Sequence, residues 1–162
     1  MKKTIIVYGS STGMCENIAN KIGEKLGAEV INVSDFTAET VADHDNLILG
    51  TSTWGAGELQ DDWYDGIEVL KTAELAGKTV AIFGCGDSES YSDTFCSGMK
   101  EIYDAAAGAS ILPGVSAAGY TFDDSDAVID GQFVGLALDD VNEDDKTDER
   151  INAWLEVIRP LL

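Results

Sequence analysis

The chain has 162 residues, of which 30 are Asp or Glu and 10 are Lys or Arg, so its formal charge at pH 7 is −20. This negative charge disfavours nucleic acid and anionic membranes as partners and favours basic proteins, unless it serves only solubility or growth in high salt. The length predicts a single domain, residues 1–162, whose core is large enough to be stable without disulfides or a structural metal. With 44% hydrophobic residues, the chain is predicted to fold rather than to be disordered.

The chain contains three cysteines, Cys15, Cys85 and Cys96, with no C-x-x-C pair among them. An odd number without such a pair indicates neither a disulfide framework nor a structural zinc site. We find no signal-like leader and no run near the roughly 20 apolar residues of a membrane helix. The sequence therefore predicts a reduced, cytoplasmic protein that binds neither metal nor membrane.

Short apolar runs alternate with segments of helical periodicity. The predicted strands cover residues 4–8, 30–33, 47–50 and 79–83. A weak helix is predicted over residues 38–42, and the last helix is predicted to enter through residues 147–149 and to end near Pro160. Four strong helices are predicted from their apolar faces, which are Ile18, Ala19, Ile22 and Leu26; Trp63, Ile67 and Leu70; Phe95, Met99, Ile102 and Ala106; and Ile151, Trp154, Leu155 and Ile158. This alternation predicts an α/β protein with a mostly parallel sheet covered on both faces.

Residues 109–142 break this alternation. Strand signals occur at residues 110–118, interrupted by Pro113-Gly114, and again at residues 133–138, with a polar, turn-rich segment between them. The pattern predicts a fifth strand that is split by an excursion. Residues 139–149 form an acidic run without the glycine of an EF-hand loop, so we expect a solvated connection and not a calcium site.

The loop after the first strand is rich in small and hydroxyl-bearing residues. Gly9 and Gly13 allow close backbone approach, and Ser10, Ser11 and Thr12 offer hydroxyl donors just before a helix begins. Because a helix N-terminus presents unpaired N–H groups, this loop can hold a phosphate with neutral donors alone.

Other interpretations of this loop compete with phosphate binding. It can be an ordinary turn and helix cap. A Walker A loop requires a lysine that is absent. Residues 9–13 match the G-x-S-x-G nucleophile elbow, but the only histidine, His44, precedes the third strand, which disfavours a hydrolase triad.

Three Gly-rich loops follow the first, third and fourth strands, at residues 10–15, 51–59 and 84–96. Open α/β sheets bind ligands beyond the carboxyl ends of their strands, so these loops are predicted to converge on one site. Two of them carry an aromatic residue that no core pattern requires, Trp54 and Tyr91. Together these two rings can sandwich a flat heterocycle.

With these residues in view, the chain resembles the flavodoxin family over essentially its whole length. Residues 10–15, Ser-Ser-Thr-Gly-Met-Cys, are similar to the family's FMN-phosphate motif, Ser/Thr-x-Thr-Gly-x-Thr. Residues 51–63 are similar to its first flavin-ring loop, and Gly84-Cys85-Gly86-Asp87 with Tyr91 to its second. Residues 119–139 resemble the insertion that splits the fifth strand in long-chain members.

The resemblance implies a doubly wound five-stranded parallel sheet of order 2-1-3-4-5 that binds one FMN non-covalently. The phosphate would lie at Ser10, Ser11, Thr12, Gly13, Met14 and Cys15. Trp54 and Tyr91 would cover the two ring faces, and Ser52, Thr53, Gly55, Ala56 and Gly57 would belong to the loop that lines the ring and its N5. Backbone groups of Cys85, Gly86, Asp87 and Cys96 would meet the pyrimidine edge.

Two residues matter for the chemistry that the resemblance implies. Cys15 stands where the family motif ends in threonine, which removes a hydroxyl donor and predicts weaker phosphate binding. Gly55 leaves its peptide free to turn, so its carbonyl is predicted to accept a hydrogen bond from flavin N5–H after one-electron reduction.

The implied function is a monomeric, low-potential one-electron carrier with no substrate turnover of its own. Its partners would be basic-faced redox proteins, a reductase and a low-potential acceptor, bound transiently and in a salt-dependent way. Few cations and many carboxylates near the ring should give the second reduction step a strongly negative potential.

Two rivals belong to other classes. An FMN-dependent NAD(P)H or quinone reductase of related fold is disfavoured, because residues 84–89 fail G-x-G-x-x-G and no basic cluster is present. A phosphorylation receiver domain of the same strand order is disfavoured by the aromatic loops and by the lack of an acidic triad after the first strand.

Overall fold

The computed structural model describes residues 2–10, 13–54 and 58–162, without the side chains of Trp54 and Glu58. Its strands are β1 (Thr4–Gly9), β2 (Glu29–Asn32), β3 (Asn46–Trp54), β4 (Glu58–Leu59), β5 (Thr79–Cys85), β6 (Ser110–Ile111), β7 (Val128–Ile129), β8 (Gln132–Phe133) and β9 (Leu136–Leu138). Its helices are α1 (Met14–Leu26), α2 (Ala38–Asp43), α3 (Trp63–Thr72), α4 (Met99–Ala105) and α5 (Asp144–Ile158). In the described part of the chain, no helix is long and apolar enough to cross a membrane.

The main sheet is built around β3, which pairs in parallel with β1 on one side and β5 on the other. β2 adds in parallel to the outer edge of β1. β6 and β9 both pair in parallel with β5, β6 near its start and β9 near its end. The predicted order 2-1-3-4-5 is therefore confirmed, with the fifth position shared by two short strands.

The excursion between β6 and β9 shortens both pieces of the fifth strand. Only Ser110–Ile111 of the predicted segment 110–118 joins the main sheet, and Pro113, which follows closely, has no N–H for a strand ladder. Gln132–Phe133 pairs instead with Val128–Ile129 in an antiparallel hairpin. The predicted strand over residues 133–138 is thus reduced to β9 in the main sheet.

Gly135 is the residue that lets the chain return beside β5. A Cβ atom at this position would lie 2.1 Å from the backbone oxygen of Ile82, far inside van der Waals contact. Glycine is therefore required for β9 to start where it does, and β9 in turn delivers Asp139 to the carboxyl edge of the sheet.

Tyr120 fixes the excursion to the rest of the fold. Its hydroxyl donates to the Ala137 carbonyl at 2.8 Å, and the Arg150 guanidinium lies 3.9 Å from the centroid of its ring. Burial raises the pKa of Tyr120 to about 12, although the neighbouring Arg150 opposes the rise. The ring is therefore a neutral hydrogen-bond donor at physiological pH, wedged between β9 and α5.

Side chains alternate between the two sheet faces, as the two-residue period of a strand requires. One face packs against α2, α3 and α4 through Val7, Leu49, Ile82, Trp63 and Met99. The other packs against α1 and α5 through Ile6, Ile48, Phe83, Ile18 and Trp154. The prediction of a sheet covered on both faces is confirmed. α4 begins only at Met99, so Phe95 precedes that helix and Ala106 follows it, yet both are buried.

The acidic run at residues 139–149 is mostly exposed, as predicted, but it is not a simple connection. Asp139 is fully buried, and α5 already begins at Asp144 instead of entering through residues 147–149. Carboxylates in the first turn of a helix are stabilised by the positive end of its dipole, which accounts for an acidic helix start. Thr147 joins this turn to the preceding loop by donating to Asp140 at 2.6 Å.

Gly135→Ala is expected to destabilise the protein by about 1–3 kcal/mol or more. The new methyl group would clash with the backbone of Ile82, which is held in the sheet. Urea unfolding monitored by circular dichroism measures this change. Gly108→Ala is the matched control, since the nearest atom to its added Cβ lies 3.5 Å away. Equal unfolding midpoints for the two variants would contradict the close approach of residue 135 to β5.

Candidate functional site

The loops after β1, β3 and β5 lie together at the carboxyl edge of the sheet. The parallel registers place Gly9 beside Thr51 and Ser52 beside Cys85, so the three strands end at similar heights. The chain proceeds from β1 outward to β2 and then crosses to β3 on the other side. This reversal of strand order is where open α/β sheets bind ligands.

A cavity of about 200 Å³ opens at this edge, lined by Met14, Ser52, Thr53, Cys85, Gly86, Asp87, Tyr91 and Val141. All of these except Val141 belong to the predicted cofactor-binding set. Tyr91 and Val141 are 37% and 54% exposed, so the mouth of the cavity is apolar and reaches the protein surface. The structure thus brings residues from all three predicted loops to one site.

A larger groove of about 720 Å³ lies elsewhere, between α3 and α4. Its lining includes Leu70, Leu75, Ala105 and Gly108. These residues lie at or after the ends of the helices, where the chain returns to the amino ends of β5 and β6. The groove therefore lies near the amino edge of the sheet, opposite the carboxyl edge where the loops converge, and is not the candidate site.

The first loop is shaped by Ser10 and Gly13. The Gly13 amide donates to the Ser10 hydroxyl oxygen at 3.0 Å, and Gly13 has a φ of 86°, a left-handed conformation that favours glycine. α1 then begins at Met14, whose side chain reaches the cavity. Ser11 and Thr12 lie outside the described residues, so their predicted contacts with a phosphate stay predictions.

The second loop brings a buried hydroxyl to the cavity wall. The Ser52 Oγ is buried, and no hydrogen-bond partner for it is found in the described part of the chain. Thr53 is held differently, because its Oγ1 accepts from the Gly98 amide at 2.9 Å. A buried hydroxyl without a partner costs free energy, so a ligand that places a polar atom within hydrogen-bond distance of Ser52 would be favoured.

The remaining predicted residues of this loop are only partly described. Trp54 ends β3, and its side chain lies outside the described part of the structure, as do Gly55, Ala56 and Gly57. Their predicted positions around a flavin ring therefore stay predictions.

Asp87 organises the third loop. Its Oδ1 accepts from the amides of Glu89 and Ser90 at 3.1 and 3.0 Å and from Asn142 Nδ2 at 2.8 Å. Burial raises the pKa of this carboxyl, but the bonds from Ser90 and Asn142 outweigh that effect and leave the pKa below its usual value. Asp87 is therefore ionised at neutral pH and makes the cavity wall negative.

The buried carboxylate of Asp139 joins the third loop to the start of α5. It accepts from the amide and hydroxyl of Ser88 and, at 3.1 Å each, from the backbone and side-chain nitrogens of Asn142. The Gly86 amide adds a bond of 2.9 Å to the Leu138 carbonyl. These contacts hold one wall of the cavity against β9.

The sequence pattern did not indicate this network or the place of Val141, because an acidic run predicts a solvated segment. One signal was present: Asp139 directly follows an apolar strand at the same sheet edge as the three loops. Polar residues in that position are candidates for a site in any open α/β sheet.

The two predicted cysteine ligands outside the cavity lining have buried side chains. The Cys15 Sγ lies 3.0 Å from the Cys85 Sγ, and the Cys96 thiol donates to the Leu138 carbonyl at 3.8 Å. Burial raises the pKa of Cys15 and of Cys96, so both are thiols at neutral pH. Any contact of Cys15 or Cys96 with a ligand must use backbone atoms, and such contacts stay predictions.

No lysine or arginine occurs at residues 4–20, 51–70 or 84–99, the three loops and their flanking residues at the cavity. The same segments carry the carboxylates Glu16, Glu58, Asp61, Asp62, Asp65, Glu68, Asp87, Glu89 and Asp93. The segment that carries Val141 does contain Lys146 and Arg150, and both are paired with Glu143. An anionic group bound by these three loops would therefore be held by hydroxyl and N–H donors instead of side-chain cations.

These features define a doubly wound α/β protein with a ligand cavity at its topological switch point. The sequence profile of the flavodoxin family matches residues 6–154. Flavodoxin 1 of Azotobacter vinelandii and the flavodoxin of Helicobacter pylori are each 40% identical to this chain over 98% of it, and the matches cover 97% and 98% of those proteins.

A solved structure gives the same result in three dimensions. The flavodoxin of Fusobacterium nucleatum bound to flavin mononucleotide matches with a TM-score of 0.94 and 28% identity, covering 100% of this chain and 99% of its own. This chain belongs to the flavodoxin family.

Asn142→Ala is expected to raise the pKa of Asp87 toward an ordinary value of about 3.9 and to destabilise the protein by about 1–3 kcal/mol at neutral pH. The variant removes a bond that favours the ionised carboxylate. Because a lowered folded-state pKa stabilises above the unfolded pKa, the stability difference should shrink as the pH falls through the folded value. Carboxyl carbon NMR titration and urea unfolding measure the two effects.

Asn152→Ala is the matched control, because Asn152 is exposed on α5. It should leave the Asp87 titration unchanged and should not lower the unfolding midpoint, because alanine favours the helix more than asparagine does. An Asp87 midpoint that is identical in both variants would show that Asn142 does not hold this carboxylate.

Proposed function

We propose that this chain carries single, low-potential electrons between redox proteins by means of one non-covalently bound FMN. The observation that carries the proposal is the cavity at the switch point, where residues of all three loops converge with the buried Ser52 hydroxyl, which has no partner among the described residues. The Fusobacterium nucleatum relative, described with flavin mononucleotide bound, supports the choice of cofactor.

The described residues fit the ring part of such a cofactor. A cavity of about 200 Å³ is smaller than typical pockets for whole ligands, so it suits a flat ring system with the rest of the molecule along the neighbouring loops. Tyr91 would pack on one ring face, and the backbone of Cys85, Gly86 and Asp87 would meet the polar edge. Ser52 would gain a hydrogen-bond partner that none of the described residues provides.

The phosphate would lie against the loop at residues 10–15, where α1 begins. Gly13 permits close backbone approach there, and the first N–H groups of α1 have no partner within the helix. Trp54, Gly55, Ala56 and Gly57 would complete the ring site, and Cys96 would contribute its backbone. These assignments follow the family motif residue by residue.

FMN supplies the one- and two-electron chemistry, and the protein sets its potentials. Asp87 is ionised at the cavity wall, and residues 4–20, 51–70 and 84–99 contribute further carboxylates but no lysine or arginine. Extra negative charge in the cavity is disfavoured by these groups. We therefore propose that adding the second electron requires a strongly reducing partner, whereas the first is accepted more easily.

The partners are proposed to present basic faces to the exposed mouth of the cavity, near Tyr91 and Val141. Attraction between opposite charges accelerates encounter and is screened by salt, so electron transfer with these partners should slow as ionic strength rises. We place this exchange in the cytoplasm, in keeping with three free cysteines. On this proposal the chain has no substrate turnover of its own.

Stepwise reduction of the FMN-loaded protein tests the proposal. We expect a yellow protein that turns blue, with a new absorption band at long wavelength, after about one electron per flavin. The band should disappear after the second electron. The same preparation should not consume NADPH in the presence of a quinone. A protein that stays colourless after incubation with FMN, or one that turns over NADPH with the quinone, would overturn the carrier function.

A further inference from the structure

Cys15 and Cys85 are far apart in the chain but in contact in the fold. Their Sγ atoms are 3.0 Å apart, one at the start of α1 and the other at the end of β5. Both are free thiols in this structure. A carrier whose electrons pass through a flavin makes no use of this pair, so the contact calls for a separate explanation.

The two thiols differ in how a small molecule can reach them. Both side chains are buried, Cys85 at 2% exposure and Cys15 at 0%, but only Cys85 lines the 200 Å³ cavity. A small oxidant that enters the cavity therefore meets Cys85 first. Cys15 lies directly behind it, in the position of a resolving thiol.

We propose that Cys85 and Cys15 form an oxidative modification site, at which hydrogen peroxide converts the two thiols to a disulfide. The Cys85 sulfur attacks one peroxide oxygen, the O–O bond breaks, and a sulfenic acid and one water form. The Cys15 sulfur then attacks the Cys85 sulfur, the S–O bond breaks, and a second water leaves with the Cys15 proton. Two thiols and one peroxide give one disulfide and two waters.

The geometry favours this pair over any pair with Cys96. A disulfide requires about 2.05 Å between sulfurs, so Cys15 and Cys85 need to close by only about 1 Å. The Cys96 thiol is directed to the Leu138 carbonyl instead. Because burial raises the pKa of Cys15, little thiolate exists at neutral pH, and the cross-link should form faster in alkaline solution.

The cross-link would join the first turn of α1 to the end of β5, across the floor of the cavity. It would close a long loop of chain, which restricts the unfolded state and raises stability. If FMN fills the cavity as proposed above, it should also block the path of peroxide to Cys85. Protection by FMN rests on the proposed function, whereas the cross-link itself does not.

The test begins with apoprotein treated with hydrogen peroxide, unfolded, labelled with a maleimide and weighed intact. We expect one labelled thiol in place of three, a loss of two hydrogens, and recovery of all three thiols after dithiothreitol. Peptide mapping should identify the link between residues 15 and 85. The oxidised apoprotein should also unfold at a higher temperature than the reduced form.

Two variants serve as controls. Cys96→Ser should form the same cross-link and leave no thiol to label. Cys15→Ser should form no cross-link and instead accumulate sulfenic or sulfinic acid at Cys85. The proposal is overturned if three thiols remain in the treated apoprotein, if Cys96 is one end of the link, or if Cys85 is overoxidised while Cys15 stays free.

Saturating FMN provides the second arm of the experiment. With FMN bound in the cavity, the cross-link should form at least about tenfold more slowly. An unchanged rate with FMN present would contradict the proposed place of FMN and leave the dithiol assignment intact. Absence of the cross-link in peroxide-treated apoprotein would contradict the dithiol assignment and leave the place of FMN untouched.

Discussion

Parallel pairing of β3 with both β1 and β5 is the constraint on which the site depends. Because parallel strands point the same way, the chain leaves β1, β3 and β5 at one edge, and each loop must form there. Ser52 and Cys85 are direct neighbours across this pairing, which brings a hydroxyl and a thiol from distant segments to the same cavity. A shift of either strand by one residue would turn its own side chain to the other face of the sheet and separate the pair.

The same edge receives a fourth contribution from the split fifth strand. Gly135 allows β9 to start close against β5, and the buried Asp139 then ties the third loop in place through Ser88 and Asn142. The excursion is therefore more than an insertion in a loop, since its return sets the position of one cavity wall. Its cost is a buried carboxylate, which is tolerated because every bond to it comes from a polar neighbour on the same edge.

Much of the fold was predictable because its signals are local. Apolar runs marked the strands, and the spacing of Trp63, Ile67 and Leu70 marked a helix face that is buried in the structure. The loops carried glycine and hydroxyl motifs whose chemistry is independent of distant residues. The buried role of Asp139, the contact of Cys15 with Cys85 and the place of Val141 were not predictable in this way, because each depends on which segments the sheet brings together. Charge alone indicated solvent at Asp139, and tertiary hydrogen bonds overrode that expectation.

On the proposed function, neutral donors at the start of α1 would anchor a phosphate beside a carboxylate-rich ring site. Titration of the apoprotein with FMN and with riboflavin, which lacks the phosphate, tests it most directly. Two or more hydrogen bonds to a charged phosphate, at roughly 1.5–3 kcal/mol each, predict that FMN binds at least about 100-fold more tightly. Because the proposed phosphate donors are neutral, FMN affinity should not fall as salt is added. Equal affinities for the two flavins, or FMN binding that weakens steeply with salt, would contradict the account.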